Sequence, residues 1–357
     1  MKTILNRDTN IDVIKSPLFF GEDLSIQRYD KFKYEKIYNM FKQHLSFFWR
    51  PEEVSVSRDR GDFQSLLPHE KFIFTKNLSY QILLDSVQSR GIPYLLQHCS
   101  SPEVELFAKM WEFSETIHSY SYTYIIKNIY SDPSKIFDEV LEDEKISSRA
   151  TSVTKYYDEL IHNLPEETER EKRKKLYLNL AAINILEGIR FYVSFACSFC
   201  FAQNKKMEGN AKIISLIARD ECLHMGFTSY LMKILRDVPE EGFQDIVQEC
   251  EEFVIQMYRD AAQEEMDWIQ YIFKDGSMLG LNSEILSLYM KYLTNQRLKV
   301  IGLPSIFEKV QNPITWINRW ISGSTEVQVA PQETEIESYV IGALKQAGEN
   351  ADYSDFL

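Results

Sequence analysis

Residues that break chains are scarce in this sequence: 13 Gly and 11 Pro are spread over 357 residues. That scarcity argues against an all-β sandwich, which needs frequent tight turns, and leaves room for long helices. Positive charge is also short, since 40 Lys and Arg against 53 Asp and Glu give a net charge of −13. A chain so acidic has no electrostatic hold on a phosphate backbone, so nucleic acid is excluded as a bulk partner. Cysteine is sparse and odd in number, five residues at 99, 197, 200, 222 and 250; this suits a reducing compartment rather than a disulfide framework. The N-terminal MKTILNRDTNIDVIK has no apolar run of export-signal type, so no export is expected and the location is read as cytoplasmic. Strand-like alternation never persists, which leaves room for a short hairpin at most, and no solenoid-type repeat is found.

What the sequence does have is a core and helical periodicity. Hydrophobic residues make up 44% of the chain. Helical patterns run through roughly 69–90, 102–130, 134–163, 168–204, 208–236 and 240–272, with more from 283 to 321. Breaks are expected at Gly91-Ile92-Pro93, Asp132-Pro133, Leu164-Pro165 and Val238-Pro239. Leu176 to Ala202 is long and apolar enough to cross a bilayer. However, Asn179, Asn184, Glu187 and Arg190 interrupt it, and such groups suit the central helix of a bundle better than a lipid-facing one. From Ser322 onward the composition turns polar and acidic. The expected organisation is a helical domain over 1–321 followed by a flexible tail over 322–357.

Three Glu-x-x-His matches stand out: Glu115/His118, Glu159/His162 and Glu221/His224. Residues three apart share a helix face, so the useful test is what else lies on that face. Phe107, Trp111, Tyr122, Ile125 and Ile129 surround the first pair, and Ile213, Ile214, Ile217, Leu231 and Leu235 the third. Glu159/His162 lies opposite an apolar stripe and reads as a solvated surface match. Two more carboxylates sit in apolar helical surroundings, Asp85 in YQILLDSVQ and Glu187 beside Leu180, Ile183 and Phe191.

Buried charges must be compensated. A structural salt-bridge network is one reading, but Arg190 and Arg219 are the only obvious bases for it. Four carboxylates and two imidazoles fit two metal ions better, and oxygen with imidazole donors selects iron or manganese. A lone carboxylate from each of two helices, with Glu-x-x-His from two others, is the pattern of ferritin-like dinuclear bundles. Asp85, Glu115, His118, Glu187, Glu221 and His224 are therefore the candidate ligands, in an all-α fold. Tyr122 lies one turn from His118 on the ligand face, whereas Tyr120 and Tyr124 project to the other side. Cys197 and Cys200 form a C-x-x-C in an apolar helix without a second pair at zinc spacing, so they read as core thiols. His44, His69 and His98 lack a carboxylate placed in the same way and read as ordinary.

The stretches SFFWRPEEV, YQILLDSVQSR, FSETIHSYSYT, LEGIRFYVSFACSF, MEGNAKIISLIARDECLH and VAPQETEIESY together resemble the small (β) subunit of class I ribonucleotide reductase. The resemblance runs in order from about Phe47 to Tyr339. It implies an oxo-bridged dinuclear iron centre, with manganese as the alternative ion, that uses oxygen to oxidise Tyr122 to a stable radical. The radical would be lent to a separate large subunit that reduces ribonucleotides to deoxyribonucleotides. By the same resemblance, Phe191, Phe195 and Ile217 would form an apolar pocket around the radical. Trp49 and Asp220, with His118, would link the metals toward the surface, and Tyr339, assisted by Glu333, would relay the radical between subunits. The terminal YSDFL resembles a docking peptide, with Phe356 and Leu357 as its apolar anchors, and a homodimer is implied. A dinuclear oxygenase or acyl-lipid desaturase could share all six ligands but gives no reason for Tyr122 together with such a tail. An iron-storage protein is typically much shorter and does not explain Trp49.

Overall fold

A computed structural model describes residues 6–8, 11–162 and 166–322. Tyr339, Glu333, Phe356 and Leu357, and the Leu164-Pro165 break, lie outside the described residues. The described part is helical: α1 (Glu35–Ser46), α2 (Asp59–Ser65), α3 (Pro68–Leu96), α4 (Pro102–Ile129), α5 (Pro133–Glu139), α6 (Glu144–Ile161), α7 (Glu169–Ile185), α8 (Tyr192–Gln203), α9 (Glu208–Asp237), α10 (Gln244–Ile272), α11 (Ser283–Val300) and α12 (Asn318–Ser322). In place of a hairpin, the described residues hold two isolated bridges, Phe19 to Cys99 and Met278 to Leu281.

Local chemistry starts these helices. Pro102 occupies the first position of α4, where a missing N–H costs nothing, and the Ser101 side chain accepts from the Val104 N–H. Thr168 and Glu171 cap α7 reciprocally. The start of α9 is capped from another helix. Buried Asp59 accepts from the Gly209 and Asn210 amides at 3.1 and 2.5 Å, and Asp62 accepts from Met207 at 3.0 Å. Anionic groups at a helix N-terminus satisfy its free N–H groups and complement its dipole. Gly209 is required there, because a Cβ would lie 2.5 Å from the Ser55 carbonyl oxygen.

α3, α4, α7–α8 and α9 form the central bundle, with α1 laid over α4 and α9, α6 against α3 and α7, and α10 against α7 and α11. The apolar stretch that could pass for a membrane span is wholly buried within this bundle.

Four expected boundaries need correction. α3 continues through Gly91-Ile92-Pro93 to Leu96, because Gly91 answers to packing rather than turning: a Cβ would lie 2.3 Å from the Tyr157 ring. Pro93 falls one turn before the helix end, so the hydrogen bond it removes is nearly terminal. The 134–163 pattern divides into α5 and α6, with Asp143 capping the second through the Lys145 amide. The 283–321 pattern stops at Val300, where Gly302 takes a positive φ of 81°. The helix expected over 168–204 is interrupted by one wide π turn at Leu186–Arg190, the register in which Glu187 is presented. Such turns concentrate at functional sites. Arg297 Nε donates to the Gly188 carbonyl at 3.1 Å inside this turn.

Candidate metal centre

The six predicted ligands come from four segments of the central bundle: Asp85 from α3, Glu115 and His118 from α4, Glu187 from the π turn, Glu221 and His224 from α9. All six are completely buried. The structure divides them into two overlapping groups, Asp85–Glu115–His118–Glu221 and Glu115–Glu187–Glu221–His224, whose donor atoms lie within 4.8 Å of one another. The two imidazoles turn the same nitrogen inward. His118 Nδ1 lies 3.1 Å from Glu221 Oε1, 3.4 Å from Glu115 Oε2 and 3.9 Å from Asp85 Oδ2. His224 Nδ1 lies 2.8 Å from Glu221 Oε2, 3.1 Å from Glu115 Oε1 and 3.8 Å from Glu187 Oε2. Glu115 and Glu221 thus offer one oxygen to each side, and Asp85 and Glu187 face one side each.

The donor set fits two cations. Both oxygens of Asp85, Oε2 of Glu115 and Glu187, Oε1 of Glu221 and Nδ1 of His118 are buried without hydrogen-bond partners. Burial and the neighbouring charge of Glu115 hold the Asp85 carboxyl well above the usual range. Burial and Glu115 likewise push Glu221 up to about 8. Glu187 is raised by burial, Glu221 and Glu115. Burial also opposes ionisation of Glu115, but the two imidazoles beside it outweigh that and hold this group at about 2. So many carboxylates cannot all ionise together in a dry core without cations. The two arginines considered for neutralising them are engaged elsewhere. Arg190 pairs with Glu264 at 2.8 Å, and Arg219 Nε reaches Asp220 at 3.3 Å.

The outer shell differs between the two sides. His118 Nε2 lies 3.1 Å from Asp220 Oδ2, which also accepts from the Trp49 indole N–H at 2.9 Å and the Ser114 hydroxyl at 3.3 Å. Burial disfavours the Asp220 anion, but Arg219 and His118 outweigh it and keep its pKa far below the usual range. The Trp49 ring stacks over His118 with centroids 6.2 Å apart. On the other side, Gln88 donates to Glu187 Oε1 at 2.5 Å, and the Tyr157 hydroxyl donates to Gln88 Oε1 at 2.6 Å. Trp111 donates to Glu115 Oε1 at 2.8 Å.

Tyr122 is fully buried, and its hydroxyl has no hydrogen-bond partner among the described residues. Burial, then the Asp85 carboxylate, pushes its pKa far up. Tyr120 is exposed and hydrogen-bonds Glu52, and Tyr124 donates to the Val54 carbonyl at 3.2 Å. Phe191, Phe195 and Ile217 are all completely buried, with the two phenylalanines stacked at 5.7 Å. Glu159 and His162 are exposed, and none of the five cysteines is in a disulfide.

His44 is not an ordinary histidine. It is 1% exposed, and its Nε2 lies 3.2 Å from His224 Nε2. Burial and the neighbouring His224 push its pKa down to about 3. Its partner is 180 positions away, so no local spacing reveals it. The available signal was its place in the buried stripe Ile37, Met40, His44 on α1. Gln88 and Tyr157 were missed as site residues for the same reason, whereas Trp111, four positions before Glu115, was read only as part of the apolar face around that ligand.

Fold and donor set together define a ferritin-like dinuclear carboxylate protein. Comparison with known proteins narrows the class. The profile of the family "Ribonucleotide reductase, small chain" matches residues 27–313. Ribonucleoside-diphosphate reductase 1 subunit beta of Escherichia coli O157:H7 is 49% identical, over 98% of this chain and 97% of that one. The ribonucleoside-diphosphate reductase subunit beta of Enterobacteria phage T4 is 39% identical, over 96% of each chain. The ribonucleotide reductase R2 subunit from Clostridium botulinum superposes with a TM-score of 0.81 at 30% identity, covering 90% of this chain and 98% of that structure. The chain belongs to the small-subunit family of the class I ribonucleoside-diphosphate reductases, which are oxidoreductases.

Proposed function

We propose that this small subunit generates and holds a tyrosyl radical on Tyr122 and lends it to a large subunit for the reduction of ribonucleotides to deoxyribonucleotides. The supporting observation is a fully buried tyrosine, without a hydrogen-bond partner among the described residues, on the same helix face as Glu115 and His118. Asp85, Glu115 and His118 would hold one iron ion and Glu187, Glu221 and His224 the other, with Glu115 and Glu221 turned toward both. Manganese is the alternative ion for the same donors. Iron bound there would supply, with oxygen, the oxidising power that Tyr122 needs.

The chain's own residues do the rest. Burial and Asp85 keep Tyr122 protonated, so loss of an electron must be accompanied by loss of the hydroxyl proton. The apolar surroundings, to which we assign Phe191, Phe195 and Ile217, exclude water and reductants that would quench the radical. Trp49, Asp220 and His118 form a continuous hydrogen-bonded chain outward from the centre. The sequence of the 322–357 segment suggests how it continues: Tyr339 would relay the oxidation, assisted by Glu333, and Phe356 and Leu357 would anchor the large subunit. The working form would be a cytoplasmic homodimer joined to that partner.

The test is an electron paramagnetic resonance spectrum after ferrous iron and oxygen are added to metal-free protein. A tyrosyl signal coupled to the metals is expected in the wild type. Tyr122→Phe should keep its metal and lose both the signal and turnover. A wild type loaded with two iron ions that gives no such signal would end this reading, and a radical that persists in Tyr122→Phe would move it to another tyrosine.

A further inference from the structure

We propose that His44 is a positioning residue for the His224 side of the centre, accepting a hydrogen bond from His224 Nε2 and so fixing both the tautomer and the ring angle of that ligand. This rests on the dinuclear reading given above.

The argument is geometric. His224 turns Nδ1 toward Glu221, Glu115 and Glu187 at 2.8, 3.1 and 3.8 Å. An imidazole that binds a cation through one nitrogen must carry its proton on the other, here Nε2. The nearest acceptor recorded for that proton is His44 Nε2 at 3.2 Å. Two ring nitrogens at that separation cannot both carry protons, so His44 accepts with a lone pair and its own proton sits on Nδ1. The rings meet edge to face at 66° with centroids 4.9 Å apart, and Phe107 packs against His44 at 5.5 Å. His44 is therefore held in place from a second side. It cannot itself be a ligand, because its inner nitrogen addresses the outer nitrogen of His224.

Ligating histidines gain orientation and basicity from the group that their second nitrogen addresses, and losing that group typically costs about 10–100-fold in metal affinity. His118 has ionised Asp220 for this purpose, whereas His224 has a neutral ring from α1. The two imidazoles are thus built with unequal donor strength.

The experiment titrates metal-free protein with Mn(II) alone and follows the free-ion paramagnetic resonance signal, so no turnover is needed. Wild type should bind two Mn(II) per chain. His44→Leu should bind one of them about 10–100-fold more weakly and leave the other within about twofold. His44→Gln should restore the wild-type titration, because its amide oxygen can reach the Nε2 position and accept the same proton. His44→Asn serves as a second comparison if the leucine variant folds poorly; its shorter amide cannot reach, so it should bind like leucine while glutamine does not. Wild-type binding by His44→Leu overturns the proposal. Equal weakening in the Gln, Asn and Leu variants also overturns it, because packing alone then explains the effect. If wild type itself binds fewer than two Mn(II), the dinuclear reading fails first and this inference falls with it.

Discussion

The two halves of the metal centre are near copies inside and unlike outside. Within, each has an imidazole Nδ1, a carboxylate of its own and one oxygen from each of Glu115 and Glu221. Outside, His118 is backed by an anion that ties it to Arg219, Ser114 and Trp49. His224 is backed by a neutral ring, and its neighbour Glu187 by the amide of Gln88 and the phenol of Tyr157. Duplicated ligands therefore do not make duplicated sites. The charged side ends in the hydrogen-bonded indole of Trp49, whereas the neutral side ends in an imidazole, an amide and a phenol.

The shared carboxylates are where this comparison breaks most completely. Glu221→Ala removes a donor from both halves, so metal content should fall well below two ions per chain, whereas Asp85→Ala should empty one half preferentially. Glu159→Ala, at the exposed copy of the motif, should change nothing. Metal analysis of the three purified variants checks this, and full loading of Glu221→Ala would show that the sharing is wrong.

Asp220→Ala attacks the charged side alone. It should weaken metal binding on the His118 side by about 10–100-fold. It also leaves buried Arg219 without its carboxylate, and breaking a buried pair of this kind costs about 3–5 kcal/mol. Mn(II) titration and denaturant unfolding measure the two effects separately. The His224 side should keep its affinity; a fall on both sides would mean that the halves are not independently supported.

The smallest effect is a pH drift. In the metal-free protein Asp85, Glu187 and Glu221 have raised carboxyl pKa values, Glu221 at about 8. The folded state then binds more protons than the unfolded state above about pH 4.5, so stability falls as pH rises toward 8. The raised values of His118 and His224 have the same sign. Asp220, Glu115 and His44 have the opposite sign: the two carboxylates matter only in acid, and His44, held at about 3, offsets part of the decline below about pH 6.5 without reversing the effect of three raised carboxyls. The melting temperature of metal-free protein should thus decline from pH 5 to 8, while metal loading, which displaces these protons, should flatten the curve and release protons on uptake. A metal-free melting temperature that rises over this range would contradict the assigned protonation.

How much of this was legible in the sequence follows from distance along the chain. Glu115/His118 and Glu221/His224 could be found because a ligand pair three residues apart is a local property of any helix. The surface placement of Glu159/His162 could be read for the same reason. Asp85 and Glu187 were visible as charges among apolar neighbours. That Glu115 and Glu221 face both imidazoles depends on how α4 and α9 are juxtaposed, which no spacing encodes. The π turn at Glu187 has its Gly188 carbonyl taken up by Arg297, more than a hundred residues away, a partner that no local spacing encodes. His44 needed the buried stripe of α1 to be read together with the far end of a different ligand.

The aspartate cap on α9 has a mechanical consequence. The segment that carries Trp49 is fastened to α9 near its two ends, by His44 against His224 and by Asp59 against the amides of Gly209 and Asn210, with the Phe47 carbonyl held by Arg219 between them. Asn210 and His224 are about 21 Å apart along the helix axis at the usual rise per residue, and Asp220 lies between them. Trp49 is thus slung along α9 like a string stretched between two pegs. Motion of this segment away from Asp220 is therefore opposed at both ends. Hydrogen exchange at the Trp49 indole should therefore slow and quicken together with the amide of Asn210.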